Sequence, residues 1–348
     1  MGLKKIFGLV ACAVLLPNCV YATRGEFNVD RWYEMLESVR LRAASENISD
    51  DTIKSTLRNP MFVPSIVKSD KNQAEFKLTL DGYLSRTVSA SRIAQGQKMR
   101  GKYPTMLSRV ENKYGVPPHV MLAFWGMESN YGAVKSRHKL TDAFLTLMYD
   151  GRRETFFSNQ LIALMKIADK NKLEINDIHG SWAGAMGHFQ FIPTTLSQYG
   201  ADGNGDGRID IINNVGDAMF SAGNYLNKLG WNKSERIVRQ VALPADFDLT
   251  LLDGKTKLTL PQWAALGVRN PDGSSIPQNE MIAGLVADVA QISQMRDSAA
   301  SEIASDSDIA PMPVITAYLT YPNFYRIKKW NNSNWYAIAI ATLADQLH

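Results

Sequence analysis

The segment that most constrains the fold is an apolar run that ends in a carboxylate. Residues 120–127 read Val-Met-Leu-Ala-Phe-Trp-Gly-Met, and Pro117-Pro118 stand before them, where prolines commonly begin a helix. A helix that is apolar on every side is a buried helix, so other parts of the chain must surround it. Glu128 follows directly. We therefore predict a fold packed around one buried helix, with a carboxyl group at the end of that helix.

The surroundings of Glu128 suggest acid chemistry. A carboxyl beside Phe124, Trp125 and Met127 loses hydration, which disfavours its ionised form and raises its pKa. A carboxylic acid that stays protonated near neutral pH can donate its proton to the leaving oxygen of a glycosidic bond. The local sequence leaves a second interpretation open, in which Glu128 is a helix-end residue paired with an arginine or lysine.

A second segment is rich in small residues. Residues 181–194 read Ser-Trp-Ala-Gly-Ala-Met-Gly-His-Phe-Gln-Phe-Ile-Pro-Thr. Small side chains allow close approach to the backbone, and Gln190 offers both a donor and an acceptor to a neutral polar ligand such as a sugar. The alternative is a tight packing patch between helices. His188 is a candidate general base, although a single histidine beside phenylalanine is more often structural.

A third segment follows the first half of an EF-hand calcium loop. Oxygen-bearing side chains occupy loop positions 1, 3 and 5, which are Asp202, Asn204 and Asp206. Position 6 is Gly207, and position 8 is the β-branched Ile209. Position 12 is Asn213 instead of glutamate, and Asp217 could supply the missing carboxylate in a longer loop. The pattern predicts bound calcium, and the alternative is a metal-free turn.

The N-terminal residues are typical of a secretory signal. Lys4 and Lys5 precede an apolar run over residues 6–16, and small residues lead to a cleavage site after Ala22. Removing residues 1–22 removes both cysteines of the chain, so we expect no disulfide and a periplasmic location. Lipid attachment at Cys19 is the alternative. The net charge falls from +4 to +2 with the two lysines, which gives no reason to expect nucleic-acid binding.

The remaining chain predicts a mainly α fold of the α+β class. Helical patterns dominate to about residue 230, and alternating residues with turn signals then indicate a small β-rich lobe. The polar residues 291–308 are interpreted as a loop or insertion. A last helix is predicted to begin after Ser333, a good N-cap, and to end near Leu347.

Taken together, these segments resemble the lytic murein transglycosylases of the membrane-bound lytic transglycosylase B type, glycoside hydrolase family 103. The most specific parts are residues 125–132, 183–193 and 321–325, the last reading Tyr-Pro-Asn-Phe-Tyr. The resemblance implies a lysozyme-like α core with an N-terminal α lobe and a small β lobe. It also implies cleavage of the MurNAc–GlcNAc bond of peptidoglycan without water, which leaves a 1,6-anhydro-MurNAc end.

The resemblance assigns regions and roles along this chain. A signal peptide (1–22) precedes an N-terminal α lobe (23–115) and the core with its EF-hand-like loop (116–232). The β-rich lobe with the insertion (233–320) follows, and a last segment (321–348) returns to the core. Glu128 would be the single catalytic acid and base. Substrate contacts would come from Tyr83, Ser129, Arg152, Arg153, Ser181, Gln190, Tyr225, Asn323 and Tyr325. Structural calcium would be held by Asp202, Asn204, Asp206, the carbonyl of Arg208, and Asp217. The expected partners are peptidoglycan glycan strands and cell-wall enzyme complexes, with the protein itself a monomer.

The number of carboxylates bears on the mechanism. Ordinary glycosidases use two, whereas the other candidates here, Asp142, Asp150 and Glu154, stand in no comparable apolar context. We therefore expect Glu128 to serve first as the acid and then as the base. The alternatives are a hydrolytic muramidase with the same fold and a peptidoglycan-binding protein without catalysis.

Overall fold

The computed structural model describes residues 27–72, 78–134, 136–303 and 314–348, without the side chains of 299–303. The predicted signal peptide lies outside these residues. Helices dominate the first two thirds of the described chain. They are α1 (Val29–Ser45), α2 (Asp50–Thr56), α3 (Pro64–Lys71), α4 (Leu80–Thr87), α5 (Ala90–Lys102), α6 (Pro104–Tyr114), α7 (Pro118–Ser129), α8 (Leu140–Asp150), α9 (Glu154–Asn171), α10 (Pro193–Tyr199) and α11 (Val215–Lys228). The short strands β1 (His138–Lys139) and β2 (His179–Gly180) pair antiparallel between them.

The later part of the chain mixes strands and helices. It contains β3 (Val238–Leu243), β4 (Leu258–Thr259), α12 (Leu260–Ala265), β5 (Ile282–Val286), α13 (Val289–Ile303), β6 (Ile315–Thr320), α14 (Pro322–Trp330) and α15 (Asn334–Gln346). Four strands form an antiparallel sheet in the order β3-β6-β5-β4, with Val238 opposite Thr320 and Leu285 opposite Leu319. The predicted mainly α fold with a small β-rich lobe is confirmed.

The apolar run forms the predicted buried helix. Residues 120–126 of α7 are all buried, and helices α5, α6, α11 and α15 pack around them. The helix ends at Asn130, which has a left-handed φ of 49° and so stops the helical backbone. The start of α15 is also as predicted, because the Ser333 side chain accepts a hydrogen bond from the Tyr336 amide. These two helices lie side by side, which brings the end of α7 close to the beginning of α15.

Two apolar clusters lie inside the protein. The larger one runs from Trp32 on α1 to Leu347 and includes α7, so the N-terminal helices and the central helices share one core. The smaller one is built around the sheet, with Trp263 and Leu285 among its most buried members. In the part of the chain that the structure describes, no helix is both long and apolar enough to cross a bilayer.

The β-rich lobe contains fewer strand residues than the alternating pattern after residue 230 indicates. Residues Leu249–Leu252 form a 3-10 helix, and the segment 255–260 contributes only the two-residue strand β4. The polar segment 291–308 was interpreted as a loop or insertion. The loop interpretation is wrong up to Ile303, because these residues belong to α13; residues 304–308 lie outside the described part. Ile292 of α13 packs into the smaller cluster, and this tertiary contact helps to anchor a helix whose overall composition is polar.

Candidate active site

Glu128 is half-buried at the end of α7, where two side chains from the C-terminal part of the chain reach it. Trp330 Nε1 donates a hydrogen bond of 3.0 Å to Glu128 Oε1, and the Tyr336 hydroxyl donates to the same oxygen. Both donors come from residues more than 200 positions away in sequence. One oxygen of the carboxyl therefore accepts hydrogen bonds from both an indole and a phenol.

Tyr336 keeps its proton in this position. Burial raises its pKa well above the ordinary value, and the negative charge of Glu128 and the hydrogen bond to it act in the same direction. Tyr83 acts in the same direction, and its helix α4 packs against α15. A phenol that stays protonated remains a donor to the carboxylate. Tyr336 was not among the predicted site residues; its only sequence signal is a tyrosine in the first turn of a mostly apolar helix.

Replacing Tyr336 with phenylalanine should lower kcat on peptidoglycan, the substrate that the resemblance implies, by about tenfold to a hundredfold, because a hydrogen bond to a charged group is lost. KM should change little, since the hydroxyl contacts Glu128, the predicted catalytic residue. The measurement is steady-state release of soluble fragments, with Tyr33→Phe on the exposed face of α1 as the matched control. Equal kcat for both variants would show that the hydroxyl has no part in catalysis.

Aromatic rings form a wall beside the carboxyl. The Trp330 ring lies 4.9 Å from Phe124, 5.0 Å from Tyr225 and 5.4 Å from Phe191, measured between centroids. Tyr225 in turn stacks on Tyr199 at 4.5 Å. Such faces suit stacking against the apolar side of a sugar ring. Tyr225 was predicted as a substrate contact, and this placement beside Trp330 is compatible with that role.

His188 forms hydrogen bonds with two residues at the end of α7. Trp125 Nε1 donates to His188 Nδ1 at 3.0 Å, and the Ser129 hydroxyl donates to the His188 carbonyl at 2.7 Å. An indole N–H is only a donor, so Nδ1 is an acceptor, and burial lowers the pKa of His188. These contacts favour the structural interpretation of His188. Ser129 is itself buried, and its hydroxyl also accepts from the Gly132 amide.

The small-residue segment packs tightly. A Cβ on Gly184 would lie 2.1 Å from the Phe144 ring, so only glycine fits there. The Ser181 hydroxyl accepts from the Ala185 amide at 3.0 Å, and Gln190 Nε2 donates to the Gly187 carbonyl at 2.9 Å. Packing therefore explains the glycine, and the substrate contacts of Ser181 and Gln190 stay predictions.

Arg152 and Arg153 both bind Asp70. One guanidinium contacts each carboxylate oxygen of this buried aspartate on α3, and both arginines remain partly exposed. The family resemblance implies that both arginines contact substrate. In the structure their positive charges compensate the Asp70 carboxylate, because burying an unpaired charge would cost free energy of folding. Their role towards substrate stays a prediction.

Asn323 and Tyr325 have internal partners as well. Asn323 is fully buried; its Nδ2 donates to the carbonyls of Asn232 and Glu235 at 2.8 and 2.9 Å. The Tyr325 hydroxyl donates to the Gly254 carbonyl at 2.7 Å. Both residues thus tie α14 to the preceding segments, and a substrate contact for either remains a prediction.

The description of Asp142 as lacking an apolar context was wrong. Asp142 lies among the buried residues of α8, where its Oδ1 accepts a 3.0 Å hydrogen bond from the Met61 amide. Lys139 Nζ lies 3.8 Å from the same oxygen. The carboxyl is thus engaged in holding the segment before α3. The sequence could not reveal this burial, because Met61 is remote from α8 along the chain.

The predicted calcium loop is folded around its own backbone. Asp202 accepts hydrogen bonds from the Gly205 and Gly207 amides, which lower its pKa. Asp217 is fully buried and accepts from the amides of Gly203 and Asp210 at 2.8 Å each. Among the described residues, no three histidine, cysteine or acidic side chains are placed to hold a metal. The donors are nonetheless all oxygen atoms, which is the chemistry calcium requires.

A half-buried carboxyl at the end of a buried helix, hydrogen-bonded by an indole and a phenol and flanked by aromatic rings, is the arrangement expected of a helical enzyme that cleaves glycosidic bonds. The family model described as "Transglycosylase SLT domain" matches residues 31–345. The chain therefore belongs to the transglycosylase SLT family. The predicted resemblance and fold class are confirmed at this level.

Individual relatives agree with the family. The chain is 30% identical to membrane-bound lytic murein transglycosylase B of Escherichia coli K12 over 269 residues. The aligned region covers 76% of this chain and 66% of the E. coli protein, so this chain spans just under two thirds of that relative. It superposes with a TM-score of 0.79 on SltB3 from Pseudomonas aeruginosa in complex with NAG-anhNAM-pentapeptide, at 32% identity, covering 91% of this chain and 79% of that one. The lytic transglycosylase Slt35 of E. coli in complex with calcium matches at 26% identity with a TM-score of 0.74, covering 90% and 92%.

Proposed function

We propose that this protein is a peptidoglycan lytic transglycosylase that cleaves the MurNAc–GlcNAc β-1,4 bond and leaves 1,6-anhydro-MurNAc. The observation that carries the proposal is the convergence of Trp330 and Tyr336 on one oxygen of Glu128. Support also comes from SltB3, whose bound ligand is named NAG-anhNAM-pentapeptide. Glu128 is the catalytic residue in this proposal.

The geometry suggests how one carboxyl serves two steps. Since Oε1 already accepts two hydrogen bonds, the proton that Glu128 donates to the leaving GlcNAc oxygen is carried on Oε2. After that transfer, Trp330 and Tyr336 stabilise the carboxylate that forms. The N-acetyl carbonyl of MurNAc stabilises the positive centre at C1. The carboxylate then accepts the proton of the C6 hydroxyl as that oxygen closes on C1, and the aromatic wall beside it limits access of water.

The competing function is hydrolysis by a muramidase, which requires a second carboxylate or a held water molecule. Digestion of purified sacculi followed by mass spectrometry separates the two. Fragments with anhydro ends, lighter by one water than hydrolysis products, are the expected result. Reducing ends would indicate a muramidase, and intact sacculi would indicate a binding protein without this activity.

We further propose that the loop beginning at Asp202 holds a structural calcium ion, with ligands from Asp202, Asn204, Asp206, the Arg208 carbonyl and Asp217. The oxygen donors support this assignment, and so does the relative solved in complex with calcium. Bound calcium would neutralise the clustered acidic side chains and stabilise the loop that precedes α11. The proposed catalytic steps do not involve the ion.

Calcium at a hundredfold excess over its dissociation constant should raise Tm by about 5 °C relative to chelator-treated protein. The measurement is thermal unfolding with calcium and with chelator. Asp206→Asn should abolish most of the shift, whereas Asp248→Asn, in an exposed turn of the β-rich lobe, should keep it. A wild-type Tm that is the same in both buffers would refute the assignment.

The cellular location and the oligomeric state of the protein are also part of the proposed function. We propose export to the periplasm with removal of residues 1–22, and action on glycan strands as a monomer or within cell-wall enzyme complexes. The three-part pattern of the first 22 residues supports export. Lipid attachment at Cys19 would instead place the enzyme on a membrane, and mass measurement of the mature N-terminus distinguishes the two.

A further inference from the structure

His188 is bonded to the last turn of α7 on both sides of Glu128. Its Nδ1 accepts a hydrogen bond from Trp125 Nε1 at 3.0 Å, and its carbonyl accepts one from the Ser129 hydroxyl at 2.7 Å. Trp125 stands three residues before Glu128, and Ser129 follows it directly. A single residue from a distant part of the chain thus contacts the helix immediately before and immediately after the carboxyl-bearing position.

The bond from Trp125 depends on the imidazole ring. Trp125 is 1% exposed, and its ring meets that of His188 edge-on at 5.5 Å between centroids. An indole N–H can only donate, so position 188 must offer an acceptor at this point. A buried donor without an acceptor would be costly. A side chain without an acceptor at position 188 would therefore leave the indole unpaired and disturb the turn that carries Glu128.

The backbone that follows Glu128 is strained. Three successive residues, Asn130, Tyr131 and Gly132, have left-handed φ values of 49°, 60° and 81°. Residues other than glycine adopt this conformation only when their surroundings enforce it. The Ser129 hydroxyl supplies one restraint from within the turn, because it accepts from the Gly132 amide at 2.9 Å. The remaining restraint must come from outside the turn.

The His188 ring lies directly against this strained turn. A Cβ on Gly132 would lie 2.5 Å from His188 Nδ1, so the imidazole occupies the space beside the glycine backbone. The same nitrogen accepts from Trp125 in the last helical turn. The ring therefore contacts the helix before Glu128 and the left-handed turn after it, and it fixes the two relative to each other.

His188 is itself held by its own backbone. Its amide donates to the Ile211 carbonyl at 3.1 Å. The turn that contains it is closed by two hydrogen bonds between Met186 and Phe191, at 2.9 and 3.0 Å. A Cβ on Gly187 would lie 2.5 Å from the Ile211 carbonyl oxygen, so the two backbones are in close contact. The imidazole is therefore mounted on a fixed support and can restrain α7.

We propose that His188 is a positioning residue, whose imidazole holds the end of α7 so that the Glu128 carboxyl stays on its donors Trp330 and Tyr336. This inference rests on the proposed function, in which Glu128 is the acid. His188 acts through Glu128 and not on the substrate. Proton transfer requires the acid to lie within hydrogen-bond reach of the leaving oxygen, so a small displacement lowers the rate of reaction more than it weakens binding.

The test follows the indole N–H resonances in a proton–nitrogen correlation spectrum, assigned with Trp125→Phe and Trp330→Phe. His188→Leu removes the acceptor and should move the Trp125 resonance. It should also move the Trp330 resonance, because that indole donates to Glu128 and reports where the carboxyl lies. On sacculi, kcat should fall about tenfold with KM nearly unchanged. His188→Asn, whose amide oxygen can replace Nδ1 as the acceptor, should restore both resonances and most of kcat.

The matched control is His179→Leu on the exposed strand β2, which should leave kcat and both resonances unchanged. A His188→Leu variant with wild-type kcat and an unmoved Trp330 resonance would overturn the proposal, and so would a failure of His188→Asn to restore them. If His188→Leu does not fold, Trp125→Phe removes the donor of the same bond and must show the same loss of kcat and the same Trp330 shift.

The proposed function is tested separately by the products. A moved Trp330 resonance in a protein that releases no anhydro fragments from sacculi would refute the proposed function, while the positioning of the carboxyl by His188 would stand. Anhydro fragments from wild-type protein, together with an unmoved resonance in His188→Leu, would keep the function and reject the role of His188.

Discussion

Replacing Glu128 with glutamine should lower kcat on sacculi by about a thousandfold or more, because the proton donated to the leaving oxygen and the base that closes the anhydro ring are lost together. Glutamine keeps a carbonyl oxygen that can accept from Trp330 and Tyr336, so the fold should be preserved. The measurement is the rate at which soluble fragments appear, with the melting temperature of the variant recorded alongside.

The control for this experiment is Glu34→Gln, which removes one carboxylate from the exposed face of α1. It should leave both kcat and the products unchanged. If the Glu128 variant instead cleaves sacculi at the wild-type rate, the acid has been assigned to the wrong residue. A small loss with the same anhydro products would mean that a second group can supply the proton.

Replacing Asn323 with alanine should lower the free energy of unfolding by about 3 kcal/mol. The substitution removes a fully buried amide whose Nδ2 serves the carbonyls of Asn232 and Glu235, and it leaves those carbonyls unpaired. Its Oδ1 also accepts from the Asn232 amide at 3.1 Å and from Arg326 at 2.8 Å. Four hydrogen bonds at one buried side chain make this a structural position.

Denaturant unfolding measures the effect, with Asn112→Ala on the exposed side of α6 as the control. The control should change stability by about 0.5 kcal/mol at most. This experiment also distinguishes two roles for Asn323. Unchanged stability together with weaker glycan binding would support the substrate contact that the family resemblance implies, against the structural role expected from the hydrogen bonds.

Some features of the site could be predicted because they depend on local composition. The apolar residues 120–127 required a buried helix wherever the rest of the chain lay, and Glu128 at its end followed from the sequence order. Ser333 at the start of the last helix was predicted for the same reason, since capping involves only neighbouring residues.

The partners of these residues could not be predicted in the same way. Asp142 has an acidic side chain in an apolar helix, and only the approach of the Met61 amide shows how that carboxyl is satisfied. Arg152 and Arg153 formed a conspicuous pair in the sequence, yet their contact with the buried Asp70 depends on how α3 packs near α8. The polar segment of α13 gave no helical signal because tertiary packing stabilises it.

The sequence by itself determined a buried helix, the acid at its end, an α-rich core and the family to which the chain belongs. Only the tertiary structure decided which groups act on that acid. Trp330 and Tyr336 are 202 and 208 residues from Glu128 along the chain. Contacts over such separations are set by helix packing, which leaves no periodic pattern in the sequence, whereas the burial of a helix is encoded in its own residues.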